Sequence, residues 1–156
     1  GLGDVYKRQP TSSGFVEITS PDPAKPPAMQ GNYLATEEDR AMMIRGFRLI
    51  RQMATAPALQ EITHEELEPG LSVESDEDVL AHIRGDSWTV FHQCGTARMG
   101  ADAASAVVDA RLRVHGVDGL RVADASVFPT IPSGNTNAPA IMVGEKASDI
   151  IREDAR

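Results

Sequence analysis

Four polar residues stand at glycine-rich joints of the sequence, and each has a side chain suited to chemistry. His92 lies in Phe91-His-Gln-Cys-Gly-Thr-Ala-Arg-Met-Gly100. Asp124 lies in Gly119-Leu-Arg-Val-Ala-Asp-Ala-Ser126, and Asn135 and Asn137 lie in Ser133-Gly-Asn-Thr-Asn-Ala-Pro139. An imidazole exchanges protons near neutral pH, an amide donates to an oxygen that gains charge, and a helix start attracts anions. Taken singly, the four have plain structural readings: a satisfied histidine at a strand end, a turn residue at Asn135, an N-cap at Asn137 and a turn cap at Asp124. Composition and spacing therefore imply a soluble α/β domain with a polar pocket at its junctions and name no reaction.

The elements that must position these residues follow from local pattern. Gly14-Phe-Val-Glu-Ile-Thr19 is short and β-branched, which predicts a strand. Pro21, Pro23, Pro26 and Pro27 predict a loop to about Tyr33. Thr36-Glu-Glu-Asp39 opens a helix whose core side is expected at Met43, Phe47, Ile50 and Ala54, with Arg40, Arg45, Arg48 and Arg51 in water; Pro57 ends it. Ser75-Asp-Glu-Asp78 opens a second helix, with Val79, Leu80 and Ile83 inward and Gly85 as its stop. Trp88-Thr-Val-Phe-His92 predicts a strand that delivers the histidine, and Leu120-Arg-Val-Ala123 one that ends at Asp124. The last helix begins near Asn137, tolerates Pro139 in its first turn, and is expected to turn Ile141, Met142, Ile150 and Ile151 inward.

Whole-chain properties exclude several classes. With 156 residues there is room for one domain with a core. Fifteen basic and twenty-three acidic side chains give a net charge of -8 without a basic stripe, which argues against a nucleic-acid partner. Apolar runs of about half a dozen residues fall far short of the roughly 18 a membrane span needs. The single Cys94 excludes an internal disulfide, and thiol packing is its default role. His64-Glu-Glu-Leu-Glu68 lacks the second histidine of a zinc-protease helix and runs into Pro69-Gly70, so no metal site is expected. Residues 1–9 join no periodic pattern and are read as a non-native leader. Gly1-Leu-Gly-Asp-Val-Tyr6 within them lacks the third glycine of a dinucleotide motif. The compartment is left open, with the cytoplasm as the expectation.

The blocks together resemble the C-terminal part of the glucose-methanol-choline (GMC) family of flavin-dependent alcohol oxidoreductases, in particular its bacterial choline dehydrogenase-like branch. The likeness spans residues 13–153 and includes Gly14 to Thr19, Ala56-Pro-Ala-Leu59, His92 to Gly100, Arg113 to Ser126, and Ser133 to Pro139 followed by Gly144-Glu-Lys-Ala147. It implies an α/β, or α+β, fragment: about 14–91 mostly on the substrate side, and about 107–156 returning to the FAD-binding domain. The resemblance further implies FAD as cofactor, a small alcohol as substrate, and an N-terminal half carrying the pyrophosphate loop, without which this piece is expected to be inactive. It assigns His92 to acid-base work and Asn135 to holding the substrate oxygen. Asp124 and the Ala125 amide would lie near the ribityl and pyrophosphate groups, and Asn137 and the Ala138 amide at the pyrimidine edge of the flavin.

Two other classes compete with that reading. A non-catalytic binding module on the same scaffold would need neither His92 nor Asn135. A metal-dependent hydrolase built on His64 lacks its second ligand.

Overall fold

The computed structural model describes residues 9–156. The glycine-rich hexapeptide and the rest of the expected leader, apart from Gln9, lie outside the described residues. The chain divides into two compact units, Pro10–Thr89 and Val90–Arg156, with Gln9 joining the second.

In the first unit, β1 (Phe15–Glu17) pairs antiparallel with β2 (Ala28–Gln30), Val16 opposite Met29. The proline-rich stretch is thus a connection closing a two-stranded ribbon, where a loop to Tyr33 was expected: no proline falls within residues 28–30, so their ladder groups remain available. Helix α1 (Glu37–Ala54) starts at Thr36, whose hydroxyl accepts from the Asp39 amide. Pro57 opens the short α2 (Pro57–Gln60), occupying the position where a missing amide costs nothing. Helix α3 (Asp76–Asp86) starts at Ser75 and runs one residue past Gly85, the expected stop.

The apolar face expected on α1 is not its buried face. Met43 is 42 % and Ile50 68 % exposed, because the contacts this helix makes with α2, α3, the 61–75 loop and Thr11-Ser12 leave that side open. Phe47 meets His82 of α3 edge-on at 6.2 Å between ring centres. Arg51, expected in water, gathers the loop: its guanidinium lies over Phe47 at 4.5 Å, grips Glu66 through Nε and Nη2, and donates to the Gly70 and Val73 carbonyls. A planar group with five donors can do all of this at once.

The second unit holds the larger core. Val108, Leu112, Val127, Phe128, Val143 and Ala147 are buried together, with Cys94, Met99, Val114 and Val122 packed against them. Its extended segments are joined by single bridges, Met99 to Val108, Val108 to Val114 and Arg113 to Arg121, where runs of strand were expected. Helix α4 (Asn137–Asp154) closes this core with Val143, Ala147 and Ile150. Of the expected inward set only Ile150 is buried, since Ile141, Met142 and Ile151 are half exposed or more. At its far end Arg111 donates to Glu153 at 3.1 Å and to Asp154 at 2.6 Å, and Arg121 also pairs with Asp154. Cations at a helix C-terminus complement its dipole as well as the carboxylates.

Candidate functional site

The three glycine-rich blocks converge within the second unit. Residues 88–91 do not form the expected strand: the chain there is irregular, and Phe91 sits at φ +62°. A bulky L-residue in that region carries about 1–2 kcal/mol of strain. The chain turns there, immediately before His92. Beyond it, the Ala97 amide donates to the Ser126 carbonyl at 3.0 Å and the Met99 amide to Val127 at 2.8 Å, which lays the His92 block along the Asp124 block. Gly95 is required between them: its φ is +89°, and a Cβ there would lie 3.2 Å from the Phe128 carbonyl oxygen.

Asp124 caps the 3-10 turn Ala125–Val127. Its Oδ1 accepts from the Ser126 amide at 2.8 Å and from the Ser126 hydroxyl at 2.5 Å. The Ser126 hydroxyl and then the Ser126 amide hold the carboxyl below the usual carboxylate range. It is therefore an anion whose Oδ2 takes neither of these bonds.

The third block reaches His92 through a residue that the sequence did not single out. His92 Nδ1 lies 3.0 Å from Thr136 Oγ1. Thr136 is the N-cap of α4, in αR geometry, and makes no side-chain bond to the helix amides. No acidic residue occupies the first turn. Asn135, one residue earlier, is exposed, as are Asn137 and Ala138 at the helix start. Thr136 was hidden because the sequence reading gave the N-cap to Asn137, whereas the cap stands one residue earlier, at Thr136. The one available signal was negative, a first turn without acids.

Cys94 is half-buried against the core, and burial pushes its thiol pKa up, which makes it packing and not a nucleophile. Glu66, near the expected non-site at His64, is occupied by Arg51. Among the described residues, no three His, Cys, Asp or Glu side chains are grouped to hold a metal ion. No described helix is long and apolar enough to cross a membrane.

A histidine thus stands beside an uncapped helix start, and its glycine-rich block runs along the block that carries Asp124, which gathers polar groups at loop junctions. The family model for the C-terminal region of GMC oxidoreductases matches residues 10–144. The oxygen-dependent choline dehydrogenase of Vibrio vulnificus is 44 % identical over 94 % of this chain and 26 % of its own length. That of Escherichia coli K12 is 44 % identical over 90 % of this chain and 25 % of its own. Among solved structures, a formate oxidase variant from Aspergillus oryzae, studied for its FAD modification, superposes with a TM-score of 0.86 at 32 % identity, covering 94 % of this chain and 26 % of that one. Pyridoxine 4-oxidase from Mesorbium loti gives 0.83 at 33 % identity, covering 90 % and 27 %. The chain belongs to the GMC oxidoreductase family and corresponds to its C-terminal portion. It spans about a quarter of the length of the relatives it matches.

Proposed function

We propose that these residues serve an FAD-dependent oxidoreductase that converts a CH-OH donor to an aldehyde or ketone, with His92 as the acid-base residue and Asn135 as donor to the substrate oxygen. The observation that carries this reading is the bond between His92 Nδ1 and Thr136 Oγ1, which sets the Asn135 turn and the start of α4 beside the imidazole.

The residues present fit a flavin. Asp124 is an exposed anion with Oδ2 available for sugar-like hydroxyls, and the Ala125 amide begins the adjoining turn. Asn137 and Ala138 offer their amides at a helix start that no side chain caps and no acid neutralises. When bound there, FAD would supply the acceptor for the hydride leaving the substrate carbon. His92 takes the hydroxyl proton, and the Asn135 amide, which cannot take one, steadies the oxygen as its charge grows.

The proposal assigns about 14–91 to the substrate side and about 107–156 to the flavin side, consistent with a unit boundary at Thr89 and Val90. It also assigns an N-terminal half to the working enzyme and no activity to this chain alone. Large apolar side chains left in water, including Ile50, Trp88, Phe91 and Ile141, support a missing covering surface. The curated relatives make choline the first alcohol to test.

In the flavin-loaded full-length enzyme, His92→Ala should lower the anaerobic rate of flavin reduction by about 10²- to 10⁴-fold while FAD stays bound. A variant that reduces its flavin at the wild-type rate would remove His92 from the chemistry.

A further inference from the structure

We infer that Thr136 is a positioning residue that fixes the tautomer of His92, a role that rests on the acid-base reading of His92. Thr136 occupies the N-cap of α4, where a threonine hydroxyl ordinarily accepts from an amide one turn on, a bond worth about 0.5–2 kcal/mol to the helix. Here it makes no such bond and lies 3.0 Å from His92 Nδ1. Residue 139, where the amide donor to such a cap would stand, is proline, and there is no acid in the first turn. The proline at the third helical position thus leaves the Thr136 hydroxyl without its usual amide partner, and the hydroxyl is turned to the imidazole instead.

The direction of the bond follows from the task. A base needs an unprotonated ring nitrogen facing the substrate, and which nitrogen that is depends on the hydrogen bond made by the other. Thr136 Oγ1 therefore accepts from Nδ1-H, and Nε2 keeps the lone pair that receives the alcohol proton.

The test uses Thr136→Val, Thr136→Ala and Thr136→Ser in the flavin-loaded full-length enzyme, with imidazole ¹⁵N shifts of His92 and the pH profile of flavin reduction as readouts. The wild type should carry its proton on Nδ1. Val and Ala should mix the tautomers, move the pH profile and slow reduction about 10- to 100-fold, the usual cost of losing a ligand-orienting partner, and Ser should restore all three. Wild-type tautomer and pH profile in Val and Ala would overturn the proposal. If His92→Ala is impaired in the same assay, that outcome removes Thr136 alone; if His92→Ala reduces flavin normally, the underlying acid-base reading fails instead. Should Val fail to bind FAD, the Ala and Ser pair still decides the question.

Discussion

The long helices α1 and α3 of the first unit and α4 of the second start on opposite principles. In the first unit α1 and α3 each follow a hydroxyl cap, Thr36 or Ser75, and each carries three acids in the first turn: Glu37, Glu38 and Asp39, and Asp76, Glu77 and Asp78. The orphan amides and the positive helix end are satisfied by the chain itself. In the second unit α4 has neither, and the one hydroxyl at its cap is turned to His92. The first arrangement serves stability. The second leaves hydrogen-bonding capacity and positive potential for something that is not helix.

The α1 start goes further than a cap. Asp39 accepts from the Thr11 amide at 2.8 Å, the Thr11 hydroxyl at 3.0 Å and the Ser12 amide at 2.8 Å, while Ser12 Oγ accepts from the Ala35 and Thr36 amides. Burial alone would push the Asp39 carboxyl up; the bonds from Ser12 and Thr11 outweigh it and hold the pKa far below the ordinary range. A buried anion is thus used to anchor the entering chain, whereas the comparable anion at Asp124 is exposed.

If the contrast is right, substitutions in the two regions should separate cleanly into effects on rate and effects on stability. The largest effects after His92→Ala belong to Asn135. Asn135→Ala should slow flavin reduction by about 10- to 1000-fold, the scale of one lost oxyanion donor. Asn135→His should retain more activity than Asn135→Ala and acquire a new pH dependence, since the imidazole can both donate and titrate. Stopped-flow reduction across pH checks both, and an inert Asn135→His enzyme with FAD intact would count against the role.

Asp39→Asn comes next and should act on stability, by about 2–3 kcal/mol at neutral pH, as charge-assisted hydrogen bonds are lost. The folded pKa lies below the unfolded one, so this stabilisation is full above the unfolded value near about pH 4 and is lost as pH falls toward the folded one. Melting curves of wild type and variant should therefore converge in acid, and a constant gap from neutral pH down to acid would contradict the role of the charge. Ser75→Ala is the smallest change, a cap deletion of about 1 kcal/mol, expected to lower the melting temperature by a few degrees without altering the rate of flavin reduction.

What the sequence made legible was local. The caps at Thr36 and Ser75, the start of α4 and the three glycine-rich blocks depend on neighbours within a few residues, and pattern finds them. Burial depends on what covers a face. The stripe Met43, Ile50 on α1 and the trio Ile141, Met142, Ile151 on α4 have helical spacing yet remain in water, because the described chain presents nothing to them. The aromatic run 88–92 has strand propensity, but Phe91 lies at φ +62°, outside the extended region, so propensity alone misled. Arg51 looked like a solvated charge and is the clasp of a loop, since its acceptors, Glu66, Gly70 and Val73, lie 15 to 22 residues away. Thr136 was missed because the neighbouring Asn137 served as the cap in the local reading, and only the position of His92 in space shows what the Thr136 hydroxyl meets.

The reserved start of α4 is tested most directly by putting into it what α1 and α3 already have. Ala138→Asp places an acid in the first turn, where α1 and α3 carry three each. The quantities to measure are the midpoint potential of the bound FAD in the full-length enzyme and the melting temperature of the FAD-free form. If the helix end stabilises negative charge on the reduced cofactor, the potential falls and reduction slows, while the FAD-free protein melts at the same temperature or higher. An unchanged potential in a variant that still binds FAD would mean that this helix end faces no developing charge.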